Sequence, residues 1–195
     1  MFIRTERLFL RPAWSEDASE LTRAIGQEQV ARMLARVPWP YEEQHARDWI
    51  AQPQHARLPS LLVTLPDEGG QIVGGCGLHD EDGVPAVGYW ITPDQWGRGY
   101  ASEALGALVT LARAAGHRQL TARHAQDNPA SGRVLRKVGF TPTGTRRPFH
   151  SVGRGGQVDS LDYALDLAEP AMCRDLPRCG WPGKSGYPAG ILAAA

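Results

Sequence analysis

Apolar residues along this chain fall into two rhythms, one with a period near two and one with a period between three and four, and their alternation predicts the order of elements. Leu8 to Arg11 reads as a first strand. Ser15 then caps a helix with Glu16 and Asp17 in its first turn. Leu21, Ile25, Val30, Met33 and Leu34 continue an apolar face, as two helices broken near Gly26, until Pro38-Trp39-Pro40 stops it. A further helical stretch over 42–52 carries Trp49 and Ile50. Ser60 to Leu65 and Gln71 to His79 are strands joined by Pro66-Asp67-Glu68-Gly69-Gly70, whose residues favour a tight turn. Val87-Gly88-Tyr89-Trp90-Ile91 is another strand. After it, Ala101, Ala104, Leu105, Leu108, Val109, Leu111, Ala112 and Ala115 form a stripe at helical spacing that Gly116 ends. Gln119 to His124 makes the next strand. Asn128 caps a short helix with Pro129 at its first position, Val134, Leu135 and Val138 on its apolar face, and Gly139 closing it. Phe140 opens a strand, and Leu161, Tyr163, Leu165 and Leu167 alternate along a last one. Antiparallel strands followed by a strand, helix, strand, helix, strand run specify an α+β fold with a mixed sheet.

Composition narrows the class. At 195 residues, 42% hydrophobic and 22% charged, the chain suits one globular domain over 1–168. Residues 169–195 shift to Pro and Gly, and form an extension in which Trp181 and Tyr187 are the groups able to hold it against the body. Lys plus Arg equal Asp plus Glu at 21 each, so nothing draws the chain as a whole to nucleic acid or to an acidic membrane. No early apolar run resembles a signal peptide or a membrane span, which points to the cytoplasm. Cys76, Cys173 and Cys179 lie in no disulfide framework or metal-ligand spacing, so no metal is expected, and Cys76 fits a small core position in a strand.

The junction Trp96-Gly97-Arg98-Gly99-Tyr100-Ala101-Ser102 carries the chemistry. It joins a strand to a helix through two glycines, which allow a sharp turn and a close backbone approach to a ligand. Free N–H groups there, with the positive end of the helix dipole behind them, suit a pyrophosphate, and Arg98 and Ser102 can add a cation and a hydroxyl. The Walker loop is excluded because no Gly-Lys-Ser or Gly-Lys-Thr follows. The dinucleotide fingerprint is excluded because Ser102 stands where its third glycine would pack. A short Gly-x-Gly also occurs in turns that bind nothing, so the loop needs company.

That company exists. Thr5-Glu6-Arg7-Leu8-Phe9-Leu10-Arg11-Pro12, Gly88-Tyr89-Trp90-Ile91, the glycine loop, and Asp127-Asn128-Pro129-Ala130-Ser131 leading to Gly139-Phe140 occur in this order, and over roughly Arg4 to Leu167 the chain resembles the GNAT N-acetyltransferases. Within them it is most similar to the RimJ/RimL-like enzymes that acetylate ribosomal-protein N-termini. The resemblance implies a mostly antiparallel twisted sheet of about seven strands flanked by about four helices. It implies acetyl-CoA as co-substrate, with Trp96, Gly97, Arg98, Gly99, Tyr100, Ala101 and Ser102 on its pyrophosphate and pantetheine. It also implies that Tyr89, Trp90 and Ile91 splay from a neighbouring strand to offer backbone donors, and that Asn128 touches the pantetheine arm. Ser131, in the same comparison, protonates the departing thiolate. Two positions depart from the wider family: Leu135 stands where many members have a tyrosine acid, which leaves that duty to Ser131 or water, and Trp96 replaces an Arg or Gln.

A general base is harder to read. His79, with Asp80 and Glu81 beside it, titrates in the right range and is the first candidate; Glu103 is the second, although a carboxylate in a first helical turn also complements the dipole. Arg146, Arg147, His150 and Arg154 form a basic stretch able to attract a carboxylate, or else a solvated loop. The expected function is acetyl transfer from acetyl-CoA to a primary amine, foremost a protein N-terminus, by a monomer or homodimer. Small-molecule amines, or a non-catalytic acyl-CoA-binding module, are the alternatives.

Overall fold

The computed structural model describes residues 1–168. The extension 169–195, with Cys173, Cys179, Trp181 and Tyr187, lies outside the described residues. The strands are β1 (Ile3–Arg4), β2 (Phe9–Arg11), β3 (Ser60–Leu65), β4 (Gln71–Glu81), β5 (Val84–Ile91), β6 (Gln119–Ala125), β7 (Thr141–Ser151) and β8 (Gly156–Asp166). The helices are α1 (Ala18–Ile25), α2 (Glu28–Ala31), α3 (Glu43–Ile50), α4 (Tyr100–Ala114) and α5 (Pro129–Val138). The strands form one eight-stranded sheet in the order β1-β2-β3-β4-β5-β6-β8-β7. Every neighbouring pair is antiparallel except β5 and β6.

Two apolar layers cover the sheet. Leu61, Val63, Cys76, Leu78, Val87 and Ile91 face α4 and α5, packing on Leu105, Leu108 and Leu135. Leu62 and Ile72 face the other way, onto Leu21, Ile25, Val30 and Ala46 of α1 to α3, with Trp90 added at the edge. Burial on both faces explains why β3 is apolar almost throughout rather than alternating. Burial also pushes the Cys76 thiol up to about 12, as expected of an inert core cysteine.

Three details differ from expectation. The sheet has eight strands, because a two-residue β1 precedes the first predicted one and is too short to show a period. Ser15 does not cap a helix. The residue that closes this entry is Asp17, whose carboxylate accepts the Trp14 N–H at 2.7 Å and the Arg11 guanidinium at 2.6 and 2.8 Å. Burial alone would raise the Asp17 carboxyl, but the Arg11 and Trp14 hydrogen bonds and the Arg11 charge outweigh it and hold it below 3.8. Finally, the basic stretch is the outer half of the β7–β8 hairpin. Arg147 pairs with Asp162 at 2.6 Å and Arg154 with Asp127 at 2.7 Å, so both guanidinium groups are engaged within the chain. No helix among the described residues is long and apolar enough to cross a membrane.

Candidate active site

The site begins where the sheet opens. β5 and β6 pair only through Ala86 with Thr121 and Val87 with Ala122, although β5 continues to Ile91 and β6 to Ala125. Thr92 donates its N–H to Val73 on β4 at 2.9 Å, so by strand alternation Trp90 and Gly88 also turn their polar groups to β4. Tyr89 and Ile91 therefore aim theirs into the gap. The Ile91 carbonyl is taken by the indole N–H of Trp96 at 2.7 Å, which leaves the Tyr89 and Ile91 N–H groups as donors along the opening. Trp90 is placed differently from its neighbours: its side chain packs on the α1–α3 face and its N–H serves β4.

The chain from Ile91 leads directly into the glycine loop. Gly97 and Gly99 have φ of 78° and 84°, a region costly to a side chain bearing Cβ, and Gly99 is the N-cap of α4. Glu103 makes a backbone bond to Gly99 O at 3.1 Å, so the N–H groups of Tyr100, Ala101 and Ser102 lie ahead of the helical ladder. Arg98, Gly99, Ser102 and Gly106 form one wall of a groove of about 520 Å³, and Lys137 and Val138 of α5 form the other. Nothing lies within 4 Å of where a Cβ on Gly97 or Gly106 would stand, so the groove is open along α4. Tyr100 is core, 8% exposed, and Ala101 packs at the core's margin.

Farther along α5, about 9 Å from Lys137 at 1.5 Å per residue, stands Ser131. Asn128 accepts the Ser131 N–H on its Oδ1 at 3.2 Å, so the cap is made and the amide NH2 is left for another partner. The Ser131 hydroxyl lies 2.7 Å from the Tyr89 phenol, which also donates to the Ser131 carbonyl at 3.0 Å. Burial raises the Tyr89 phenol to about 12 against the opposing hydrogen bond from Ser131. Beneath them, Gly132 rests on His124 and Tyr163: a Cβ there would meet His124 Nε2 at 2.6 Å and the Tyr163 hydroxyl at 2.9 Å. Close approach at Gly132 thus sets the height of Ser131 over the opening. Leu135 is fully buried.

His79 lies on the opposite face of the sheet. It is a half-buried residue of β4 rather than part of a loop, and its Cε1 is 4.0 Å from the position of a Cβ on Gly88, the first β5 residue past the last β6 pair. Burial, then the charges of Arg36 and Arg123, hold its imidazole below 6.5 against Asp80. It is therefore neutral at pH 7. Glu81 beside it pairs with Arg123. Glu103, the other base candidate, lines the α4 groove and is held by Thr5 and Arg7. Among the described residues no group of three or more His, Cys, Asp or Glu side chains gathers as metal ligands do.

Sequence reasoning thus named the loop, the splayed strand and Ser131. It missed Lys137, the Tyr89 hydroxyl as the partner of Ser131, and Arg7 at the groove. Arg7 stood in a motif singled out for its order, while Lys137 carried no signal beyond being a cation in a last helical turn.

The comparisons with known proteins identify the family and the fold. A model described as an acetyltransferase (GNAT) domain matches residues 7–141. An N-acetyltransferase named p20 from Bacillus licheniformis is 28% identical over 171 residues, covering 83% of this chain and 93% of that protein. Among solved structures, a GNAT-family acetyltransferase from Bacillus anthracis superposes with a TM-score of 0.72 at 24% identity, over 85% of this chain and 98% of that one. RimL, a ribosomal L7/L12 α-N-protein acetyltransferase in complex with coenzyme A, does so with a TM-score of 0.72 at 22% identity, over 86% and 98%. That family match covers most of the chain, and the protein belongs to the GNAT acetyltransferases.

Proposed function

We propose that the protein acetylates the N-terminal α-amine of a protein or peptide, by direct attack within a ternary complex. Acetyl-CoA supplies the activated acetyl thioester. The chain's own residues fit it: the N–H groups of the Gly97–Ser102 loop with Arg98 and Lys137 suit the diphosphate, the groove between α4 and α5 suits the pantetheine, and the Tyr89 and Ile91 donors suit the thioester carbonyl.

The observation that carries the reading is the opening between β5 and β6, which connects the two faces of the sheet. On one face the Ser131 Oγ is in hydrogen-bond reach of the Tyr89 phenol, so when that phenol turns its proton from the Ser131 carbonyl to Oγ, the Ser131 hydroxyl proton is free to pass to the leaving sulfur. On the other, His79 is neutral and can take a proton from the incoming nitrogen. A neutral imidazole is a modest base. It suffices for an α-amine, which titrates near about 8 and is partly neutral already, but not for a lysine near about 10.4. RimL, which acts on a protein α-amine, shares the fold. This reading assigns the reaction to the cytoplasm.

The test is release of free CoA from acetyl-CoA in the presence of three acceptor sets: peptides with free N-termini, the same peptides blocked at the N-terminus but carrying lysine, and small amines. Turnover confined to free N-termini is expected. Equal turnover with blocked lysine peptides, or turnover with small amines alone, overturns the assignment.

A further inference from the structure

Glu103 is out of place by charge alone. It lines the groove with Arg98, Ser102 and Lys137, at the head of the helix that is to receive a diphosphate, where a carboxylate opposes an anionic ligand. Its partners explain it. Oε1 accepts the Thr5 hydroxyl at 2.7 Å and the Arg7 N–H at 2.9 Å, and Oε2 accepts Arg7 Nε at 2.8 Å with Nη2 at 2.6 Å. Burial would raise this carboxyl, but the Thr5 and Arg7 hydrogen bonds and the Arg7 charge hold it below 4.5, so it stays ionised.

Arg7 carries the connection onward. Its remaining nitrogen, Nη1, donates to the carbonyl of Arg98 at 2.9 Å, and the guanidinium lies 4.8 Å over the Tyr100 ring. A trans peptide sets the carbonyl of one residue and the N–H of the next on opposite sides. Holding the Arg98 oxygen toward Arg7 therefore fixes the orientation of the Gly99 N–H, on the opposite side of that peptide. Arg7 Nη2 also stands 3.5 Å from where a Cβ of Gly99 would be, so the guanidinium lies close against this side of the loop. The turn that bears Arg7 is itself closed by Thr5 N–H to Leu8 O at 2.9 Å and Leu8 N–H to Thr5 Oγ1 at 3.0 Å.

We infer that Arg7 and Glu103 are positioning residues for the donor, forming a clamp that fixes the Arg98–Gly99 peptide so that the loop presents its N–H groups to the CoA diphosphate. Arg7 serves the ligand through the backbone and Glu103 serves it by holding Arg7. The inference rests on the loop being the diphosphate site, and it separates from the simpler idea that Arg7 is itself a phosphate ligand. If Arg7 bound phosphate directly, removing the charge of Glu103 would free it and tighten binding. If the clamp is what matters, the same change loosens it.

Glu103→Gln and Arg7→Lys are therefore compared with the wild-type chain by calorimetric titration with CoA, and by KM for acetyl-CoA and for S-acetylpantetheine, which lacks the diphosphate. Losing a charged hydrogen bond of this kind predicts CoA dissociation constants raised about tenfold in both variants. The KM for S-acetylpantetheine and the kcat with either donor should stay within about twofold of wild type. Unchanged or tighter CoA binding by Glu103→Gln overturns the clamp, as does an equal loss with both donors, which marks a general structural defect. If the wild-type chain itself binds CoA no better than pantetheine, the diphosphate assignment of the loop fails and takes the clamp with it.

Discussion

The two ends of the cleft are built from different materials. At the end proposed for the diphosphate the groups are chiefly main-chain N–H donors of consecutive residues, held by two glycines and a helix, with Arg98 and Lys137 beside them. At the end proposed for the reaction the side chains of Ser131, Tyr89 and His79, brought from α5, β5 and β4 onto two faces of a parted sheet, join the Tyr89 and Ile91 N–H groups. A backbone site tolerates changes of side chain as long as the fold of the loop survives. A side-chain site loses its chemistry with one atom. The first end should therefore govern how tightly the donor is held, and the second how fast it reacts.

The largest expected effect lies at the reactive end. Ser131→Ala should lower kcat about a hundredfold while the KM for acetyl-CoA moves little, and Tyr89→Phe, which leaves the hydroxyl in place but unheld, should lower it about tenfold. Steady-state kinetics on both variants and their double would show non-additivity if the pair acts as one unit. A KM effect larger than the kcat effect would blur the division.

Next comes the loop. Valine at Gly99 must adopt a φ of 84°, at a cost of about 1–2 kcal/mol, so CoA affinity should fall about tenfold while kcat at saturation is kept. Calorimetry with CoA would read this. A loop that binds equally well with valine would mean that its backbone conformation is not the recognition element.

The smallest effect is at His79. Burial and the charges of Arg36 and Arg123 lower its pKa from the ordinary value, so if its neutral form is the base, the acid limb it contributes to the rate has its midpoint below pH 6.5 and activity rises with pH through it. His79→Gln should remove that limb and lower the rate at pH 7 by less than about tenfold, because an α-amine is already partly neutral there. Rate profiles from pH 5 to 9 decide. A limb unchanged in the variant would assign it to the acceptor.

What the sequence could disclose follows the same division. Gly97, Gly99, Asn128 and Gly139 were legible because each acts within a few residues of itself, through a turn or a cap. The helix stripe 101–115 and the strands β3 and β4 were legible through their periods. The contact between Ser131 and Tyr89 joins residues 42 apart, and that between Arg7 and Glu103 spans 96, so no local pattern announces either. Asp17 was taken for a first-turn acid because its role depends on a buried Arg11 that only the fold delivers. His79 was seen as a residue type, but its face of the sheet depends on the register of β4 with β5. Trp90 shows the same limit in reverse: it belongs to the motif, yet alternation turns its side chain to the other layer.

The short parallel join between β5 and β6 has a further consequence for the folded molecule itself. With two residue pairs across it, the sheet is two antiparallel panels, β1–β5 and β6–β8, riveted at one end and supported by the helices over the seam. A donor lying in that seam would supply rungs that the ladder lacks, so the ligand becomes a temporary piece of secondary structure. Saturating CoA, at a hundred times its dissociation constant, should add about 2.7 kcal/mol to stability. Amide hydrogen exchange should slow most at Tyr89 and Ile91, and protection should spread to both panels together, because the ligand ties one to the other.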